Sequence, residues 1–461
     1  PTGQVEIIGW LYQYYNTELN NQVYDGNMSK SRITKELLPA ATTIYTPDWA
    51  IRYMVENSVG RIWIGHLRAV DPGTDEKVTA ERFGWKYYLP EAKQEESVNV
   101  KLAEIRTTYK DLKPTDISCI DPCMGSGHIL IAMFDVLMDI YESAGYDKRE
   151  AAFEIVEHNI HGLDIDQRAY QLAYFAVMMK GRGYNRRFLR RRNGKPEPKV
   201  YAIVESNEIN RNHLQFFGTH LSEMERNLAI IQIEGLLDTF RDAREYGSIL
   251  NVDEYDWSKL EQFIEDLDTG GQITFESVGN EETQASLRKL IRVAKNLGQK
   301  YDAVVTNPPY LGSSRFSPAL DKYVKEKYPE VKTDLSMVMY KHALQDLCKY
   351  KGYVSFITTS SWMFLSSFEK LRTYVMEKYD FCSLVDFGTE LFEGKVGHNP
   401  IVAWVNQKIN TDSIMTGIRL VEFCYSRRDE KEKEFYNIEN YYNTKPSDFS
   451  KIPGRPVAYW V

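Results

Sequence analysis

An apolar run in the stretch YDAVVTNPPYLG breaks off into Asn307-Pro308-Pro309-Tyr310. Two prolines in a row cannot continue a central strand or sit inside a helix, so the chain leaves its strand here in a rigid, extended turn. The side-chain carbonyl of Asn307 and the backbone carbonyl of Pro308 become two stiffly held acceptors. Such a pair suits a planar NH2 group with two hydrogens to give, and Tyr310 adds a flat face on which a planar base can stack. The chemistry indicated is work on an exocyclic amine of a flat ring, such as N6 of adenine.

Two further motifs describe a ligand beside that amine. Asp121-Pro122-Cys123-Met124-Gly125-Ser126-Gly127 closes one short strand and opens a helix. Its glycines let backbone approach a ligand closely, and a helix N-terminus favours negative charge. It is not G-x-G-x-x-G, and no Lys-Ser/Thr follows, which excludes a Walker-type phosphate loop. One helix later, GLDID places Asp164 at the end of a second strand, where an acid can accept hydrogen bonds from ribose hydroxyls. Either motif alone could be a plain turn or a solvated loop acid; together they describe a site for an adenosine-bearing ligand.

Elements must hold these residues in register. From residue 116 the pattern alternates: DISCIDPC, IHGLDID, KVYAIVES and YDAVVTNPPY read as strands, with helices at HILIAMFDVLMDIYESAG and QRAYQLAYFAVMMKG between them. GYVSFITTSS, FCSLVDFG and IVAWVNQ are later strands. The alternation predicts an α/β fold, a doubly wound and mostly parallel sheet with ligands at the strand carboxyl ends. Residues 1–66 read as an N-terminal helical segment, with Thr46 as N-cap and Pro47 in the first helical position. Residues 67–115 are a polar connection, and 116–205 with 301–408 form the catalytic domain. A charged helical insertion occupies 206–300, and 409–461 is a linker.

Composition excludes several classes. The 461 residues carry a net charge of −8, so a polyanion partner needs a local basic patch, and 180–199 supplies nine Lys/Arg against one Glu. In a doubly wound sheet that patch falls at the end opposite the ligand crevice, which favours solvated surface over a grip on the target. The five cysteines form no C-x-x-C, and His158 with His161 lack nearby thiols, so they read as structural and no metal site is expected. No apolar run is long enough to span a membrane, and the cysteine usage fits a reducing cytoplasm. The chain opens on Pro1 and closes on IPGRPVAYWV, which is read as a portion of a longer polypeptide.

The motifs GWLYQYYNTEL, PAATTIYTPDWAIRYMVENSVGRIW, DPCMGSGHIL, GLDID, VTNPPYLG, FITTSSWM and IPGRPVAYW cover nearly the whole chain. In type and order it resembles the N6-adenine class of S-adenosylmethionine-dependent DNA methyltransferases, and within it the PglX-type enzymes of bacterial phage-exclusion (BREX) systems. The resemblance implies a Rossmann-like class I fold, S-adenosyl-L-methionine as cofactor and double-stranded DNA as partner. It also implies a bacterial cytoplasmic location, a role in phage defence beside other proteins of that system, and a target-recognition region beyond Val461.

Residue by residue, it implies that Thr46 contacts the methionine end of the cofactor. Asp121, Pro122, Gly125 and Gly127 cradle it, and Asp164 with Ile165 hold ribose and adenine. Asn307 and Pro308, stiffened by Pro309, accept from the target amine; Tyr310 stacks on the flipped base and Phe392 closes the sandwich. The family's third strand usually ends in an Asp at the cofactor's adenine amine; here Asn207 stands there and can still accept. Cys123 sits in the cofactor loop and is rejected as a nucleophile. Other readings stay open: modification parts of type I or type IIG restriction enzymes, glutamine methylation of release factors, N4-cytosine methylation, and a methyltransferase-like scaffold without activity.

Overall fold

Strand burial splits by parity, and that split builds the molecule. In the computed structural model, residues 32–39, 44, 46–190, 196–267, 278–392 and 398–461 are described. Strand β4 (Tyr301–Thr306) sends Val304 into one hydrophobic core and Ala303 and Val305 into the other, while a register break after Tyr301 puts that residue on the side of Val304. Strand β7 (Ile401–Gln407) does the same with Val402 and Trp404 against Ile401, Ala403 and Val405. Both faces are therefore buried, as side chains that alternate along a strand require when helices cover each side.

Among the described residues nine strands form one sheet in the order β3-β2-β1-β4-β5-β7-β6-β8-β9. They comprise β1 (Cys119–Asp121), β2 (Ile160–Asp164), β3 (Lys199–Ala202), β4, β5 (Cys348–Thr359), β6 (Asp380–Gly388), β7, β8 (Met415–Arg419) and β9 (Tyr441–Thr444). β1 to β5 pair in parallel, while β7 runs antiparallel between β5 and β6. This is the predicted doubly wound, mostly parallel α/β sheet, with its order reversing at β1/β4. The carboxyl ends of these two strands make the crevice where such sheets bind ligands.

Three regions depart from the sequence reading. Residues 409–461 are not a linker: β8 joins β6 in parallel and β9 pairs antiparallel with β8. Tyr459 seals that edge with its hydroxyl on the buried Asp386, 3.1 Å away. The polar connection 67–115 contains the helices Glu76–Phe83 and Glu96–Thr107. The N-terminal helix starts at Asp48, with Pro47 at the cap and no side-chain cap, because the Thr46 hydroxyl is engaged elsewhere. The segment GWLYQYYNTEL and Tyr45 lie outside the described residues.

The insertion is helical, as predicted, through Glu223–Thr239, Ala243–Tyr246, Trp257–Glu265 and Asn280–Gly298. It packs into the same core as one face of the sheet. Its first long helix opens with a capping box, Ser222 and Glu225 exchanging bonds. Basic residues 180–190 take up the end of the helix Gln167–Tyr184 and the turn after it, which leads towards the start of β3, away from the strand carboxyl ends. His161 is buried, with Nδ1 2.6 Å from Asn296 Oδ1 and its ring edge-on to Tyr301. Burial lowers its pKa to about 4, so it packs as a neutral ring. Among the described residues no helix is long and apolar enough to cross a membrane.

Candidate active site

A cavity of about 150 Å³ opens at the carboxyl ends of β1, β2 and β4. It gathers Thr46, Asp121, Pro122, Gly125, Asp164, Ile165, Asn307 and Pro309 from four separate stretches of sequence.

The floor is the loop after β1. Gly125 and Gly127 have φ of +51° and +89°, a region that side chains with a Cβ avoid. At Gly127 space is also short, since a Cβ would lie 3.0 Å from Ala173 Cα on the neighbouring helix. Gly127 thus keeps that helix tight against the loop and does not itself line the cavity. The 16-residue helix His128–Ser143 begins directly after it, with no side-chain cap on its N-terminus.

Two acids flank the loop. Asp164 accepts from the Gly125 N–H at 2.9 Å and the Asp166 N–H at 2.8 Å, tying β2 to the glycine turn. Burial raises its pKa to about 6. Asp121 is only 1% exposed, and its Oδ1 takes both the Thr306 hydroxyl at 2.7 Å and the Cys123 N–H at 3.0 Å. Its Oδ2 has no hydrogen bond among the described residues, and burial pushes its pKa to about 7. A carboxylate with one idle oxygen on a cavity wall is a ready partner for a cationic group, whose charge would restore ionisation.

The rim is the double-proline bend. Asn307 donates through Nδ2 to Thr46 Oγ1 at 2.9 Å, which joins the N-terminal segment to β4. Its Oδ1 is buried with no partner among the described residues. A buried acceptor left idle costs roughly 1–3 kcal/mol, so such an atom in a cavity wall marks a place for a donor. Pro308 is buried beneath it.

Beyond the bend the structure corrects one expectation. Tyr310 is half-buried, with its hydroxyl on the Ile357 carbonyl at 3.0 Å. Phe392 is 2% exposed and lies tilted against Tyr310, ring centroids 6.3 Å apart at 39°. A base held between two parallel rings needs about 7 Å between their planes, twice a van der Waals contact. Phe392 is therefore core packing here and forms no open sandwich.

Asn207 is also corrected. It is exposed and absent from the cavity wall. Its amide is occupied twice by Asp242, donating to Oδ1 at 2.7 Å and accepting from N at 3.0 Å. In its place the insertion supplies Glu245, Tyr246, Gly247 and Ser248, which line the cavity. Ser248 donates to the Pro122 carbonyl, and Gly247, at φ +62°, packs onto Ile165, where a Cβ would meet Cγ2 at 3.2 Å. Sequence reasoning missed these four, and also Leu335 and Met339, whose helix closes another wall. The sole local signal was the Tyr-Gly-Ser turn inside a charged helical stretch.

Residues 158–392 match the Eco57I family, the Eco57I restriction-modification methylases, and so just over half of the chain falls within that family. The chain belongs to the Eco57I restriction-modification methylase family. The matched part contains β2 to β6, the insertion and the double-proline bend. An adenine-specific methyltransferase PglX from Lacticaseibacillus casei (strain Zhang) is 39% identical over 473 positions, covering 100% of this chain and 37% of that protein. An adenine-specific methyltransferase BrxX from Escherichia coli O9:H4 (strain HS) is 34% identical over 477 positions, covering 99% of this chain and 38% of its own. This Eco57I-family chain thus spans less than two fifths of these relatives' length. A solved structure, a nuclease-deletion mutant of the type ISP restriction-modification enzyme LlaGI with a DNA substrate mimic, aligns with a TM-score of 0.49 at 14% identity. It covers 91% of this chain and 27% of its own.

Proposed function

We propose that the chain is the methyl-transferring part of an adenine-specific DNA methyltransferase that uses S-adenosyl-L-methionine and serves phage defence. The observation that carries the reading is Asn307 Oδ1, a buried acceptor without a partner among the described residues at the edge of the cavity. The residues present fit the cofactor. Asp121 would hold its ammonium, the loop of Gly125 its amino-acid end, and Asp164 with Ile165 its ribose and base. When bound, S-adenosyl-L-methionine supplies an electrophilic methyl group.

The chain's own residues then do three things. Thr46 fixes the Asn307 amide so that Oδ1 is presented to the target. Asn307 Oδ1 and the Pro308 carbonyl accept the two hydrogens of adenine N6, drawing its lone pair out of the ring and onto nitrogen. Tyr310 stacks the base once it is flipped from the duplex, which recovers part of the few kcal/mol that unstacking costs. Transfer would form an N–C bond at the amine these residues hold, with the cofactor's S–C bond broken and one amine proton released to water. No covalent nucleophile is needed, since positioning and directed hydrogen bonds supply the rate. Cys123 takes no part; burial holds its thiol well above its ordinary pKa.

Radiolabelled methyl transfer to duplex DNA, to protein and to no acceptor tests this, with nucleoside mass spectrometry of the product. The expected product is N6-methyladenine in DNA. Label in protein or in N4-methylcytosine would contradict the reading.

A further inference from the structure

We infer that Glu245, carried by the helical insertion, reads the base of the nucleoside cofactor by accepting a hydrogen bond from its exocyclic amine. The inference rests on the cofactor reading above.

Polar groups at the Ile165 end of the cavity are mostly spoken for. Asp164, assigned to the ribose, also holds the Gly125 and Asp166 backbone N–H groups. Ser248 gives its proton to the Pro122 carbonyl. Asn207 is turned outward onto Asp242. Glu245 differs. Its Oε2 takes the Ser317 hydroxyl at 2.6 Å, while Oε1 has no hydrogen bond among the described residues, and the residue is part of the cavity lining.

Its position is fixed from both sides. Arg244 Nε donates to the Ile165 carbonyl at 3.4 Å, and Gly247 rests on the Ile165 side chain. Ile165 is the residue that follows the ribose-holding acid, so the base lies at this end. An ionised carboxylate can only accept. It favours an amino base and repels an oxo base, which would bring a second acceptor against it. The insertion therefore supplies the base contact that the turn after β3 does not make.

Calorimetric titration with S-adenosylhomocysteine and with its inosine counterpart, carbonyl in place of amine, tests this. The unaltered chain should prefer the amino compound by about tenfold or more. The isosteric Glu245→Gln can turn its amide to suit either base, so the preference should collapse to within about threefold. Ser317→Ala removes the latch but leaves the carboxylate, and should keep the preference. On the unaltered chain an N6,N6-dimethyl analogue, which has no amine hydrogen, should bind as poorly as the inosine compound. Full preference in Glu245→Gln, or equal binding of the amino and oxo compounds by the unaltered chain, would overturn the inference. Binding of neither would overturn the cofactor reading with it.

Discussion

The two ends of the site are built in opposite states. At the cofactor end the chain holds an open cavity, whose glycine loop, acids and insertion turn are already bonded to one another. At the proposed target end Tyr310 packs against the core residue Phe392, and the Asn307 acceptor has no partner among the described residues. The first end is organised before any ligand arrives. The second presents an acceptor that still awaits its donor. On the proposed reading, the cofactor enters a site that is already assembled, and the target amine supplies the donor that the rim lacks.

Substitutions at the two ends should separate accordingly. Asn307→Ala removes the idle acceptor, and we expect methyl transfer to DNA to fall by roughly 10²–10³-fold with cofactor affinity unchanged, measured by single-turnover label transfer and calorimetry. Tyr310→Ala should cost transfer about 10–100-fold through lost stacking, again sparing the cofactor; Tyr310→Phe, which loses just the bond to the Ile357 carbonyl, should stay within a few fold.

Asp121→Asn sharpens the contrast from the other end. Its carbonyl can still accept from Thr306 and Cys123, but the charge is gone, so cofactor affinity should drop about tenfold with little direct effect at the rim. The pH signs follow from a pKa of about 7 against an ordinary carboxylate value near 4. Between those values the folded chain holds a proton that the unfolded chain has released. This group's contribution to stability therefore falls as pH rises through that window and is level above it. Cofactor affinity should rise from pH 6 to pH 8 as Asp121 ionises, and Asp121→Asn should flatten both profiles in thermal melts and titrations.

Thr46→Val frees the Asn307 amide to rotate and should slow transfer by about tenfold or less. Asn207→Ala should leave cofactor affinity within about twofold, since that side chain faces Asp242. A large loss there would return Asn207 to the cavity.

What could be read in advance follows from range. The double-proline bend, the glycine turn and the acids at strand ends are local events, dictated by a few adjacent residues, and the structure brings Asn307, Asp121, Gly125 and Asp164 together as expected. The parallel sheet was legible because buried strands read as apolar runs between amphipathic helices. Asn207 failed because the residue after β3 can turn to either side. The choice is made 35 residues later, where Asp242 adopts φ +53° and engages both ends of the amide. The Glu245–Ser248 wall was hidden for the same reason: its partners Pro122, Ile165 and Ser317 are distant in sequence. β8 and β9 are four or five residues each, too short to signal inside a charged, Tyr-rich stretch. Thr46 looked like a cap because a threonine before proline and aspartate usually is one; a partner 261 positions away claims its hydroxyl.

A structure of the chain with a non-reactive cofactor analogue and DNA containing the target adenine would test the role of Asn307 Oδ1. The flipped adenine N6 is expected at about 3 Å from both Asn307 Oδ1 and the Pro308 carbonyl, with Tyr310 stacked on the base. An adenine bound elsewhere, or Asn307 Oδ1 bonded to the cofactor instead, would contradict it.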